Sequence, residues 1–144
     1  MGNADNDIVI GIDLGTTYSV VAVLDPASCQ PVVVPNAEGG NKTPSIVAFL
    51  ENGEILVGEI ARRQIATNPE GTVYDVKRLT GRYYSELEGS GERFLYPICQ
   101  DEGDQILINI RGIGYTPQQV SALILKKLKE AAEAYLGQEV SKAV

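Results

Sequence analysis

Two short stretches carry side chains whose types and spacing could do chemistry. The first is "DLGTTYS", residues 13–19, which joins two apolar runs. Gly15 has no side chain, so a phosphate can approach its backbone and the turn can take unusual dihedrals. The N–H groups that follow can point inward as an anion-binding nest. Thr16 and Thr17 add hydroxyls at the same spot, and Asp13, at a strand end, could hold Mg²⁺ directly or through water. The same residues also suit a plain hairpin corner in which Asp, Gly and Thr satisfy turn geometry. From this stretch alone both readings stand. It is not a Walker A loop, since no Gly-Lys-Ser/Thr follows, and Gly11 and Gly15 lack the dinucleotide spacing.

The second stretch is "YDVKRLTGR", residues 74–82, centred on Lys77. Apolar neighbours at helical spacing would let the Lys77 stem lie on the core while its ammonium reaches a cleft. A lysine there can stabilise charge on a transferred phosphoryl group and position an attacking water. It can equally be a surface lysine whose stem covers a helix.

The elements that must position these groups can be read from patterning. Residues 8–14 and 19–24 are rich in β-branched side chains and read as adjacent buried strands. Residues 30–35, "QPVVVP", form a short strand fenced by prolines, and 36–44 read as a loop. Asn52-Gly53 between apolar runs predicts a tight hairpin. Helical spacing over 59–67 stops before Asn68-Pro69, and a short helix is expected over 73–79, ended by Gly81. Residues 83–93 are polar and read as a loop or mobile segment. "RFLYPICQ" and "QILINIRG" read as strands around the acidic turn "DEGD".

The clearest helix spans 117–136. Thr116 is its N-cap, Gln119 completes a capping box, Pro117 takes the first helical position and Gly137 ends it. Val120, Leu123, Ile124, Lys127-Leu128, Ala131 and Tyr135 would form its apolar stripe. "EVSKAV" then begins another strand pattern and stops, which reads as a truncated segment of a longer chain.

With 144 residues and 44% hydrophobic content, the chain suits one compact domain. A net charge of −7 argues against a nucleic-acid surface. Bulk charge would not attract a phosphate ligand, so backbone amides, a placed lysine and a metal would have to. Cys29 and Cys99 have no metal or redox spacing and read as reduced thiols. No 18-residue apolar run predicts a membrane span. Residues 1–7, "MGNADND", are unlike a signal peptide and lack the Ser or Thr that myristoylation wants. Asn41-Lys42-Thr43 fits the glycosylation pattern but reads as chance in a chain without a secretory signal.

Four stretches together resemble the seventy-kilodalton heat-shock (DnaK-type) chaperones, at the start of their ATPase domain. They are "IGIDLGTTYS" at 10–19, "NAEGGNKTPSIVAF" at 36–49, "VGEIARRQIATNPEGTVYDVKRLTGR" at 57–82 and "YTPQQVSALILKKLKEAAEAYLGQEVSKAV" at 115–144. The resemblance implies an α/β, ribonuclease-H-like, actin-like fold, of which this chain would be lobe I only. Residues 1–41 and 117–144 would form its core subdomain, incomplete at the C-terminus, and 42–116 an inserted subdomain. The phosphate-binding loop maps onto Gly15, Thr16, Thr17 and Tyr18. The metal-associated, catalytic aspartate maps onto Asp13, acting through water, and the lysine needed for hydrolysis onto Lys77. The implied cofactors are ATP or ADP with Mg²⁺.

The implied partners of the parent protein are unfolded client peptides, J-domain cochaperones and nucleotide exchange factors. Its implied setting is the cytoplasm and the stress response, with no nucleic acid and no membrane. The family's second phosphate loop, an Asp-Leu-Gly-Gly-Gly-Thr run, is absent from these 144 residues, as are its other catalytic carboxylates, adenosine-binding segment and peptide-binding domain. "GNKTPS" departs slightly from the commoner Arg-Thr-Thr-Pro-Ser form, and residues 83–100 match only loosely. Isolated, the chain is expected to be largely inactive. Two alternatives are a stand-alone protein-interaction module with no nucleotide chemistry and a sugar-kinase-like phosphotransferase of the same superfamily.

Overall fold

The structure, a computed structural model, describes residues 8–144; the polar N-terminal stretch 1–7 lies outside the described residues. Strands β1 (Val9–Leu14) and β2 (Tyr18–Leu24) pair antiparallel, with Asp13 opposite Val20 and Leu14 opposite Ser19. Only Gly15, Thr16 and Thr17 connect them. β3 (Pro31–Val33) extends the sheet beyond β2, and the two-residue β4 (Thr43–Pro44) also pairs with β2, Tyr18 opposite Pro44. The loop expected over 36–44 thus ends in a strand.

The connection from β4 to the long helix builds two smaller sheets. β5 (Val47–Phe49) lies between β6 (Ile55–Val57) and β7 (Thr72–Val73), closed by the expected hairpin at Asn52-Gly53. Gly53 has φ 86°, the left-handed region such a turn requires. β9 (Ile106–Ile110) lies between β8 (Ile98–Gln100) and β10 (Ile113–Tyr115). The expected turn at "DEGD" joins β8 to β9, whereas β10 was hidden in the sequence by Gly112 and Gly114.

Three local expectations are corrected. The helix expected over 59–67 is α1 (Glu59–Arg62), after which single hydrogen-bonded turns carry the chain to Asn68. The helix expected over 73–79 is β7 followed by a 3-10 turn at Val76–Arg78, because Asp75 takes φ 53° and breaks the helical path. The polar segment 83–93 contains α2 (Tyr84–Ser90). Asp104, from the β8–β9 turn, supplies its N-terminal acceptors: its main-chain oxygen takes Tyr84 N–H, and its carboxylate takes Ser85 N–H and Oγ–H.

Helix α3 (Pro117–Leu136) has the bounds its sequence predicts. Gln119 N–H donates to Thr116 Oγ1 at 3.1 Å, and Thr116 N–H to Gln119 Oε1 at 2.9 Å. Gly137 closes the helix at φ 70°. Its buried row is Val120, Ile124, Leu128 and Ala132, a strict four-residue step. Tyr135, expected on this stripe, is instead 52% exposed, and Ala132 takes its place. At about 100° per residue Tyr135 falls within the arc spanned by Val120 and Ala132, so its exposure comes from its place in the last turn of the helix and not from its facing.

One large core joins most of these elements, and Ile46, Ala48 and Ala61 form a second, smaller cluster beneath α1. Ile10, Val21, Val23, Val47, Phe49, Ile108, Val120 and Ile124 belong to a single buried cluster, each large side chain contributing about 1.5–3 kcal/mol before entropy is counted. Only one face of β1 and β2 is buried: Ile10, Ser19, Val21 and Val23 point inward, while Asp13 and Tyr18 stand on the open face. After α3 the chain returns as β11 (Lys142–Ala143), parallel to β1, with Val144 N–H donating to Ile10 O. A parallel return needs a crossover, and α3 is that crossover. Cys29 and Cys99 are free thiols. Among the described residues no helix is long and apolar enough to cross a membrane.

Candidate phosphate-binding site

The turn at Gly15 is closed so tightly that no other residue fits. A Cβ there would lie inside 3.0 Å of the Tyr18 carbonyl oxygen and 3.2 Å from its carbonyl carbon, both backbone atoms. This contact is what the glycine is for. It folds the chain back within three residues and leaves the backbone of Thr16 and Thr17 bare.

Among the described residues, the N–H groups of Gly15, Thr16 and Thr17 donate to nothing. Neither threonine hydroxyl nor the Asp13 carboxylate has a hydrogen-bond or ion-pair partner there either. A run of unused donors on a tight turn is an anion-binding arrangement. Beside them sits a carboxylate, exposed on the open face of β1, that can take a cation or its water.

Lys77 joins this corner from 63 residues away. Its Nζ donates to the Leu14 carbonyl at 2.9 Å, which brings a positive charge to the loop's first peptide. The left-handed Asp75 and the 3-10 turn after it project Lys77 off the core, while Val76 and Leu79 on either side are buried. The sequence-derived pair, loop and lysine, is therefore brought together, although the lysine stands on a 3-10 turn and not on an α-helix.

Tyr18 closes the other side of the loop. The residue is 41% exposed, with Lys42 Nζ 5.9 Å from the ring centroid and Arg62 Nη1 3.4 Å from the hydroxyl. A hydrogen bond from Arg62 to Glu59 holds that guanidinium firmly charged, above its ordinary range. Three cations thus border a loop in a chain whose net charge is −7, which supplies locally the attraction that the whole molecule lacks.

No local pattern points to the residue that holds the loop in shape. Ser45 N–H donates to Thr17 O at 2.9 Å, and its hydroxyl donates to Gly15 O at 2.8 Å, 30 residues away. Ser19 Oγ lies 2.8 Å from Ser45 Oγ. Such contacts follow from β4 pairing with β2, and no local spacing announces them.

Comparison with known proteins decides the family. A family model described as Hsp70 protein matches residues 9–144. The chain belongs to the Hsp70 family. The chaperone protein dnaK3 of Thermosynechococcus vestitus is 49% identical over 138 residues, covering 94% of this chain. The chain spans 20%, about a fifth, of the length of that curated relative. The Hsp70 ATPase domain has the actin-like, ribonuclease-H-like fold, and the mixed sheets and helices here are part of one of its lobes.

Hsp70 proteins use ATP or ADP with Mg²⁺, and the residues at this corner fit that group. The bare amides and hydroxyls suit phosphate oxygens, and Asp13 offers one hard oxygen donor. Among the described residues no three His, Cys, Asp or Glu side chains cluster for a metal. Mg²⁺ suits that setting, because it retains waters and is bound through one or two carboxylates plus substrate phosphates.

Proposed function

We propose that this chain is the phosphate-loop lobe of the nucleotide-binding domain of an ATP-dependent chaperone, in which ATP hydrolysis controls binding and release of unfolded peptides. The observation that supports it most is the corner formed by residues 13–18 and Lys77, with its unused donors and the lysine tied to the Leu14 carbonyl. Residues 1–41 and 117–144 act as the core subdomain and 42–116 as the insertion that carries Lys77.

When bound, Mg²⁺–ATP supplies the phosphoryl group to be cleaved and a metal that neutralises its charge. The chain's own groups divide the remaining work. The amides and hydroxyls of Gly15, Thr16, Thr17 and Tyr18 hold phosphate oxygens. Asp13 would hold the metal through water, and Lys77 would stabilise charge on the transferred group and orient the attacking water. J-domain cochaperones and exchange factors act on the intact protein, in the cytoplasm.

Two measurements test this. Reading the gene downstream of Val144 is expected to show the frame continuing into a second lobe; a stop codon there would contradict the proposal. In the full-length protein, Lys77→Ala is expected to abolish most ATP turnover, by about 10²-fold or more, while calorimetry shows Mg-ATP binding retained. Unchanged turnover would reject the role given to Lys77. The 144-residue chain alone is expected to bind Mg-ATP weakly or not at all, because these residues provide one side of the site.

A further inference from the structure

We infer that the buried hydroxyl pair Ser19–Ser45 is a positioning device that aims the amides of the phosphate loop at their ligand. The inference rests on the phosphate-site reading above and adds to it a residue outside the loop.

Hydrogen-bond directions follow from counting protons. A serine hydroxyl has one proton, and that of Ser45 is given to the Gly15 carbonyl. In the 2.8 Å contact between the two hydroxyls, Ser19 must therefore be the donor. The result is a one-way chain from Ser19 to Ser45 to the Gly15 carbonyl. Both hydroxyls are buried, with residue exposures of 0% and 1%.

Peptide geometry turns this chain into a constraint on the loop. Every described peptide is trans, so the C=O and N–H of one planar unit point in opposite directions. Ser45 draws the Gly15 carbonyl inward, and the Thr16 N–H of the same unit must face outward. The Ser45 N–H holds the Thr17 carbonyl, which fixes the Tyr18 N–H in the same manner. Lys77 holds the Leu14 carbonyl and so orients the Gly15 N–H. Three of the loop's peptide units are thus set from outside, two of them by Ser45.

Chemistry accounts for a hydroxyl pair at two buried positions. Burying hydroxyls costs free energy unless they are hydrogen-bonded, and here the chain ends on the Gly15 carbonyl. Successive hydrogen bonds polarise one another, so the Gly15–Thr16 peptide presents a stronger N–H dipole. Without that donor the Gly15 carbonyl is free to turn toward the ligand, where its oxygen repels phosphate.

The test uses the full-length protein and compares affinities for Mg-ADP and adenosine in the wild type, Ser45→Ala and Ser45→Thr. Ser45→Ala is expected to weaken Mg-ADP about five- to tenfold while adenosine, which has no phosphate, keeps its affinity. Ser45→Thr retains the hydroxyl and is expected to restore Mg-ADP binding. If Ser45→Ala fails to fold, the near-isosteric Ser45→Cys, a weak donor, is expected to show the same selective loss. Equal loss for both ligands, or no loss, overturns the inference while the phosphate-site reading stands. Failure of the wild type to bind Mg-ADP overturns both.

Discussion

Changing Gly15 to alanine probes the loop with a single methyl group. Its Cβ would enter within 3.0 Å of the Tyr18 carbonyl oxygen, and that oxygen belongs to the backbone of β2 and cannot rotate away. The turn must open by several tenths of an ångström, against the hydrogen bonds that Ser45 makes to Gly15 and Thr17. Overpacking against a fixed neighbour costs about 2–3 kcal/mol, a fall of roughly 6–12 °C in Tm for a domain of this size. Gly11→Ala in the same strand is the control. Its Cβ would meet only the Ala22 carbonyl oxygen, at an ordinary 3.9 Å. Removing glycine from a strand gains about 0.5 kcal/mol, so this variant is expected to match or slightly exceed the wild type. Thermal and urea unfolding followed by circular dichroism reads both. Two variants of equal stability, or a Gly11→Ala protein less stable than Gly15→Ala, would refute the reasoning.

Thr116→Ala removes the acceptor that caps α3 and is expected to cost about 1 kcal/mol, read as a lower urea midpoint with an unchanged slope; an unchanged midpoint would contradict the cap's role. Ile124→Ala, at a fully buried position, is expected to cost about 2–5 kcal/mol, and a smaller loss would place the core elsewhere. Glu133 gives a pH dependence. The Val140 N–H, donating at 3.0 Å, and Lys129 hold its carboxyl below the ordinary 4.5. A depressed value stabilises the fold above the unfolded-state value, and that contribution is lost as pH falls through the folded one. Glu133→Gln is therefore expected to be less stable than the wild type at about pH 6 and to approach it at about pH 3; a gap that stays constant would reject the assignment.

The parts legible in the sequence are those whose stabilising groups lie within a few residues of one another. Helix α3 carries Thr116, Gln119 and Gly137 at its own ends, and the β5–β6 hairpin carries its own Asn52-Gly53. The β1–β2 corner likewise contains both of its strands and its glycine. The parts that misled are held by distant partners. Helix α2 has one buried side chain, Leu87, and takes its N-terminal acceptors from Asp104, so its own residues read as a loop. Asp75 in the left-handed region ended a pattern that looked helical. At the candidate site, Asp13, the loop and Lys77 are legible by residue type and by resemblance. Ser45 is not, because its worth lies in carbonyls 28 and 30 residues away. Arg62 and Lys42 escaped for the same reason, since only the fold brings them around Tyr18.

The central claim is that the amides following Asp13 receive the phosphates of a bound nucleotide. Hydrogen–deuterium exchange of the full-length protein, with and without saturating Mg-ADP, tests it at those amides. Peptides covering residues 14–19 are expected to slow markedly on binding, because amides that now donate to nothing acquire phosphate acceptors. Exchange in that segment left unchanged while nucleotide demonstrably binds would contradict the account.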